Sequence, residues 1–311
     1  MEEAGREVAT LASRLRWGQD VWEPASLFWD APDRNDHACA LWRSESNVLY
    51  HFSGLSVAAT WGPLAVIMRT SENSGATWSK ARFIIPEHGV RHMPIADVIR
   101  LADGTMVLPC DAVTGGRGGS ALWMSGDEGK TWYDTGGTIA GIHANVVELR
   151  DGRLMALGRG DDIDGRMPMS ISEDKGKTWT YSASPFMPIH GGQRLVLFRL
   201  HEGALLFASF ANEPLPIVDA TGAERSITGM YCAVSLDDGK TWANTRVVSD
   251  DGLPRPIESF DGRPNTMGAG QSETAGYLTV CQAQNGLIHL ISSRNHYAFN
   301  LAWLQSAPPG V

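Results

Sequence analysis

Four times along the chain an apolar run stops at a two-residue turn and resumes. The copies are "RLADGTMVLP" (100–109), "ELRDGRLMALGR" (148–159), "RLHEGALLFASF" (199–210) and "QAQNGLIHLISSR" (282–294). Asp-Gly, Glu-Gly or Asn-Gly between apolar runs is the signal of a β-hairpin. A second pattern recurs among these: "SENSGATW" (71–78), "SGDEGKTW" (125–132), "SEDKGKTW" (172–179) and "SLDDGKTW" (235–242). Each copy has Ser, then Asp or Asn two residues on, Gly four on, and Thr-Trp at six and seven. The copies lie 54, 47 and 63 residues apart, a period that suits propeller blades and is too long for leucine-rich or ankyrin units. Together the patterns predict strand, hairpin turn, strand, longer loop, strand, acidic turn, strand, over 37–85, 92–137, 143–185, 192–247 and 275–305. Small antiparallel sheets repeated along one chain bury their faces best when stacked radially. An all-β propeller is therefore expected, as one domain over 1–311, with helix-period stretches nearly absent. The segment 8–29 reads as the tail of a further unit, so six blades are expected, the ring closing by pairing of the two chain ends.

The acidic turn has an explanation that needs no ligand. Its Asp can accept backbone N–H bonds within the turn, Gly supplies a positive φ, and Trp wedges between neighbouring strands. A phosphate loop would require Gly five residues before each Gly-Lys, where Met124, Ile171 and Val234 stand instead. Calcium would need more oxygen ligands at alternating positions than one turn offers.

Composition narrows the partners. The chain has 311 residues, 43% of them hydrophobic, and a net charge of -9, which supports a large core and disfavours polyanions such as nucleic acid. No window reaches the roughly 18 apolar residues of a membrane span, and no basic-then-apolar leader is visible. Compartment stays open between cytoplasm and secretion with a removed leader. Cys39, Cys110, Cys232 and Cys281 form no metal-like spacing and read as buried free thiols. No organic cofactor is suggested, and no short-range His or Cys spacing selects a metal.

The four turns resemble the Asp-box, or bacterial neuraminidase repeat, of the sialidase superfamily. That resemblance implies a propeller, and it extends to sialidases, to some polysaccharide lyases and other glycosidases, and to non-catalytic binding proteins. Turns alternate between the two ends of an up-and-down blade, so hairpins and acidic turns should share one end. The remaining loops should share the other, which is expected to carry the site. Those loops hold His37, His51, His88, His92, His143, His190 and His296, with Arg34, Arg91, Arg159, Arg166, Arg194 and Arg294. Arginines pooled in an acidic protein point to an anionic ligand, and their planar fork suits a carboxylate. A sugar acid within an anionic oligo- or polysaccharide is the expected substrate. Trp29 and Trp61 are candidates either for sugar stacking or for the core. "TGGRGGS" (114–120) lacks the helix of a phosphate site and reads as a lid or turn. The Arg-Gly-Asp triplet at 159–161 is a chance match.

Resemblance to sialidases implies an arginine triad for the carboxylate, an Asp acid/base, and a Tyr nucleophile activated by Glu. In this sequence Arg294, Arg159 and Arg194 are the triad candidates, Tyr297 the nucleophile, Asp161 the acid and Glu213 the activating residue. Arg166, Arg34, His296 and Gln193 complete the expected substrate-binding set. No Arg-Ile-Pro type segment stands near the N-terminus. The histidines keep a uronate lyase open, with His143 or His92 as base, Tyr297 as acid and an Arg neutralising the carboxylate. Non-catalytic glycan binding is the third reading.

Overall fold

The computed structural model describes residues 5, 7–57, 62–112 and 118–310. Trp61 and residues 114–117 of the "TGGRGGS" loop lie outside them. Contacts divide the chain into two compact units, Met1–Thr138 and Ile139–Val311.

The first unit holds two blade-like sheets. One runs in order through Asn35–Arg43, Leu49–Ser56, Leu64–Ser71 and Arg82–Gly89. In the other, Met93–Pro94 and Ile99–Arg100 both pair with Met106–Asp111, followed by Ser120–Ser125 and Tyr133–Asp134. The second unit holds three more. Its first comprises Ile142–Glu148, Leu154–Arg159, Pro168–Ser172 and Thr180–Ala183; its second comprises Val196–Arg199, Leu205–Val218, Glu224–Ser235 and Ala243–Val247. The last has three strands, Thr279–Gln282, Ile288–Ile291 and His296–Phe299. A five-residue helix, Leu301–Gln305, follows and is capped by the Asn300 side chain, which accepts from the Trp303 N–H. No helix among the described residues is long and apolar enough to cross a membrane.

The fold is thus an all-β propeller of antiparallel blades, but five blades are present among the described residues where six were expected. The segment 8–29 supplies only two short strands, Thr10–Ala12 and Ser26–Trp29, which pair with each other. On their outer side Leu11 and Leu27 are each 63% exposed, so the segment is a ribbon, not the tail of a blade. Residues between the last two blades likewise form a separate hairpin, Arg255–Glu258 with Pro264–Met267.

Inner strands are buried on both faces, which is why they read as continuous apolar runs with no alternation. Leu205–Phe210 is buried throughout, and Phe186 stacks on Phe207 at 3.6 Å. In the first unit Phe52, Val66, Met68, Met106 and Leu108 form the corresponding core. Cys110 and Cys232 are buried free thiols as expected, whereas Cys39 and Cys281 are exposed. Both stand on strand positions facing outward, which the apolar-residue reading of Cys missed.

The acidic turns act as staples in all four copies. The glycine N–H donates to the serine Oγ at 2.8 Å each time. The threonine N–H donates to the Asp or Asn Oδ1 at 2.8–2.9 Å. In the three Asp copies the Thr hydroxyl adds a bond to Oδ2. These bonds hold Asp127, Asp174 and Asp237 at about 2, led by the Thr side chain and then its N–H. Within the second unit, hairpin and acidic turns meet: Asp238 accepts from the Arg150 N–H and from the Arg199 guanidinium, both at 2.6 Å.

Candidate functional site

Strand Leu154–Arg159 leaves the hairpin turn at one end and delivers Arg159 at the other. Its exit is unusually close-packed. A Cβ on Gly158 would meet Ala140 O at 2.5 Å, and one on Gly141 would meet Gly158 C at 2.7 Å. Two glycines are therefore needed for the neighbouring strand to pass. The same crossing carries a bulge between Ile142 and Asn145, in which His143 adopts φ +53° and is buried. Bulges re-aim side chains, and here the His143 ring meets Tyr277 edge-on at 5.6 Å.

Arg194 reaches the same place from another direction. Gln193–Arg194 pairs parallel with Gly276–Tyr277, in register Gln193↔Gly276 and Arg194↔Tyr277. The guanidinium carbons of Arg159 and Arg194 lie 5.6 and 5.7 Å from the Tyr277 ring centre. Arg159 Nη1 donates to Gln193 O at 2.9 Å and to Tyr277 Oη at 3.4 Å. Arg194 Nε donates to Leu278 O. Arg159, Arg194 and Tyr277 are all half-buried, so charge and ring stay within reach of a ligand.

Gln193, expected to bind substrate, is instead buried and occupied. Its Oε1 accepts from the His190 N–H, and its Nε2 donates to Asn212 Oδ1 and Thr274 O. The residue ties three segments together beneath the arginines.

Beside this cluster stands a second one on the same short segment. Tyr297 Oη donates to Glu273 Oε1 at 2.7 Å, and Glu273 is fully buried. Gly229 makes this placement possible, since a Cβ there would lie 2.3 Å from Ser272 O and 2.8 Å from Glu273 O. Burial raises the Glu273 pKa above the ordinary carboxylate range, against the opposing effects of Ser292, Tyr297, Asn295 and Arg294. Burial and then the Glu273 charge push the Tyr297 phenol up as well. A cavity of about 570 Å³ opens along strand His296–Phe299, lined by Asn295, His296 and Tyr297 with Ile257, Met267 and Trp303. Arg159, Arg194 and Tyr277 do not line it.

The other expected residues are placed as follows. Glu213 is exposed in the irregular stretch between Ala211 and Leu215, and the carboxyl that meets Tyr297 is Glu273, which corrects the expected pairing. Arg294 lies near Glu273 but is ion-paired with Asp261 at 3.5 Å, not grouped over Tyr277. Asp161 is exposed and accepts from the Gly141 N–H at 2.9 Å. Arg166 is exposed and its Nη1 lies 3.5 Å from Pro185 O. His296 Nε2 stands 3.0 Å from His289 Nδ1, and burial followed by that neighbour lowers its pKa. In the first unit, Arg34 donates to Asp33 O. His92 is buried, its Nδ1 2.9 Å from Glu87 O and 3.0 Å from Leu64 O, as a brace of its own turn. Trp29 packs on Arg69 and donates to Asp36, so it belongs to packing.

Glu273 and Tyr277 were missed because they sit in "GQSETAGYLTV" (270–280), a Gly-, Ser- and Thr-rich stretch without strand periodicity. The only signal was an isolated acid and an isolated phenol just before the last hairpin. Among the described residues no group of three or more His, Cys, Asp or Glu is arranged to hold a metal.

A model of the BNR repeat-like domain matches residues 1–290. Among solved structures, the chain is similar to the intramolecular trans-sialidase from Ruminococcus gnavus in complex with oseltamivir carboxylate, at 12% identity, covering 96% of this chain and 89% of that one, with a TM-score of 0.62. It is also similar to a protein of unknown function from Dyadobacter fermentans (14% identity, 96% and 84% covered, TM-score 0.59). A third similar structure is an α-L-arabinanase from Penicillium chrysogenum with arabinobiose (12%, 96% and 99%, TM-score 0.50). No curated protein matches in sequence.

Proposed function

Because the chain belongs to the BNR repeat-like family, we propose that it is a sialidase-like glycoside hydrolase acting on glycans that carry a sugar acid. The observation that carries this reading is the convergence of Arg159 and Arg194 on Tyr277. Two half-buried guanidiniums around one phenol suit a carboxylate, which they can hold by charge-assisted hydrogen bonds. The similar trans-sialidase was solved with a carboxylate-bearing ligand, which agrees with an acid-binding site in this architecture.

In this reading Tyr297 is the nucleophile and Glu273 its base. A carboxylate made more basic by burial accepts a phenolic proton more readily than an exposed one, and Glu273 already accepts the Tyr297 hydroxyl in a 2.7 Å hydrogen bond. Arg159 and Arg194 orient the acid, Gln193 O holds the first and Leu278 O the second, and His143 backs the Tyr277 ring. The acidic turns act as staples within their own blades. The substrate is an anionic oligo- or polysaccharide, with no nucleic acid or membrane partner.

One observation favours a second reading, a uronate lyase: His143 lies against Tyr277, and imidazole and phenol are the groups that would remove and return a proton beside a carboxylate. The test is to incubate the protein with sialosides and with uronate-rich oligosaccharides and to identify the products by mass. Hydrolysis adds one water per cleavage; elimination gives an unsaturated uronate that absorbs in the near ultraviolet. Unchanged glycan in every case rejects both enzymatic readings.

A further inference from the structure

Tyr277 has a proton to give. Arg159 Nη1 donates to the Tyr277 oxygen, and a guanidinium can only donate. The phenolic hydrogen must therefore point elsewhere, and no acceptor for it is recorded among the described residues. Tyr297 differs: its hydroxyl is committed to buried Glu273, and its ring packs against the core of the second unit. Of the two phenols, Tyr277 is the one whose hydrogen is unassigned, and two cationic groups flank its ring.

Its position is fixed from three sides. The Tyr277 N–H donates to Ser293 Oγ at 2.9 Å, the parallel pairing with Arg194 sets its register, and His143 closes one edge of the ring. A phenol held this rigidly, with a guanidinium on its oxygen, is preorganised for a state in which that oxygen becomes negative. Tyr297 gives its proton to a buried carboxylate, whereas the half-buried Tyr277 hydroxyl keeps its own for solvent or a bound ligand.

We propose that Tyr277 is a catalytic residue, the general acid that protonates the departing glycosidic oxygen. This rests on the glycosidase reading above. In the first step the bond between the anomeric carbon and the leaving oxygen breaks, and its electron pair goes to that oxygen, which takes the Tyr277 proton. Tyr297 Oη bonds to the anomeric carbon and passes its own proton to Glu273. Arg159 then faces the Tyr277 phenolate as a counter-charge. In the second step water adds to the anomeric carbon and returns a proton to Tyr277, while the bond to Tyr297 Oη breaks and that oxygen recovers its proton from Glu273. The sum is one water consumed and one glycosidic bond cleaved, with every side chain restored.

General acid catalysis matters in proportion to how poorly the leaving group departs unaided, and this gives a test. Nitrophenyl and methyl glycosides of sialic acid and of glucuronic acid are hydrolysed by wild type and by Tyr277→Phe, and kcat/KM is compared for each pair. The proposal expects a loss of about 10²–10⁴-fold on the methyl glycoside and less than about tenfold on the nitrophenyl glycoside, whose leaving group needs no proton. Both substrates are measured in one preparation, so the ratio does not depend on how much of the variant is folded. Equal losses on the two substrates, or no loss on either, overturn the role of Tyr277 while leaving the glycosidase reading intact. Failure of wild type to cleave any of the four removes the glycosidase reading itself, and the proposal with it.

Discussion

Arg69 in the first unit and Arg159 in the second are built from similar neighbours and end in opposite conditions. Arg69 is 8% exposed and lies 4.4, 5.0 and 4.8 Å from the ring centres of Phe28, Trp29 and Trp78. Its Nε donates to His51 Nδ1 and its Nη2 to Phe28 O. Burial, followed by the charge of Arg69, pulls His51 down to about 3, so the imidazole stays neutral and accepts. Arg159 also has a histidine and an aromatic ring close by, yet it is half-buried and donates through Nη1 to one carbonyl and one phenol. The first arginine is sealed by its rings and pins the N-terminal ribbon to its blade. The second is offered to solvent on a rigid support. An arginine among aromatic groups is thus a packing device when its donors are enclosed and stays open to solvent when they are not.

The contrast is sharpest in the effect of removing each guanidinium. Arg159→Ala should lower kcat/KM on the cleaved glycoside by about 10²–10³-fold, as expected when a preorganised charged donor is lost, with little change in the denaturant midpoint. Arg69→Met should do the reverse, destabilising the protein by about 2–4 kcal/mol through lost cation–π contacts and an orphaned His51 nitrogen. Activity per folded molecule should be retained. Equal effects of the two substitutions on activity would erase the distinction.

A smaller effect comes from Asp36, which accepts from Trp29 Nε1 and the Ala31 N–H in the same cluster. Burial raises it to about 6 from an ordinary 3.8. A raised carboxyl binds its proton more tightly in the folded state, so its contribution is full below pH 4 and is lost as pH rises through about 6. Asp36→Asn should remove that dependence: stability measured by denaturant at several pH values should fall less between pH 4 and 6 than in wild type. The smallest effect is expected at the exposed staples. Asp174, held at about 2 by Thr178, contributes stability above pH 4 that is lost as pH falls towards 2. Asp174→Asn should flatten that acid limb slightly, with activity at neutral pH unchanged.

Much of the fold was legible because its signals are local. The hairpin turns and the four staples are each specified within about a dozen residues, and every staple closes on its own Ser, Asp or Asn, Gly and Thr. Blade number was not legible, because a short apolar segment such as 8–29 reads alike whether it completes a blade or forms a ribbon. Arg159 could be found because it ends a recognisable hairpin strand, and Arg194 because it closes the loop just before the next one. Arg294 could not be judged, since its partner Asp261 lies in a hairpin whose placement no local pattern sets. Tyr277 depends on a parallel pairing with Gln193–Arg194 and Glu273 on the close approach of Gly229 and Met230, long-range contacts that leave no periodic trace.

The most direct test of the site is product analysis with sialosides and uronate-containing oligosaccharides, using wild type beside Arg159→Ala and Arg69→Met. The account predicts released sugar acid carrying one added water from wild type and from the folded fraction of Arg69→Met, and almost none from Arg159→Ala. Unaltered glycan from wild type, or undiminished release from Arg159→Ala, would contradict it.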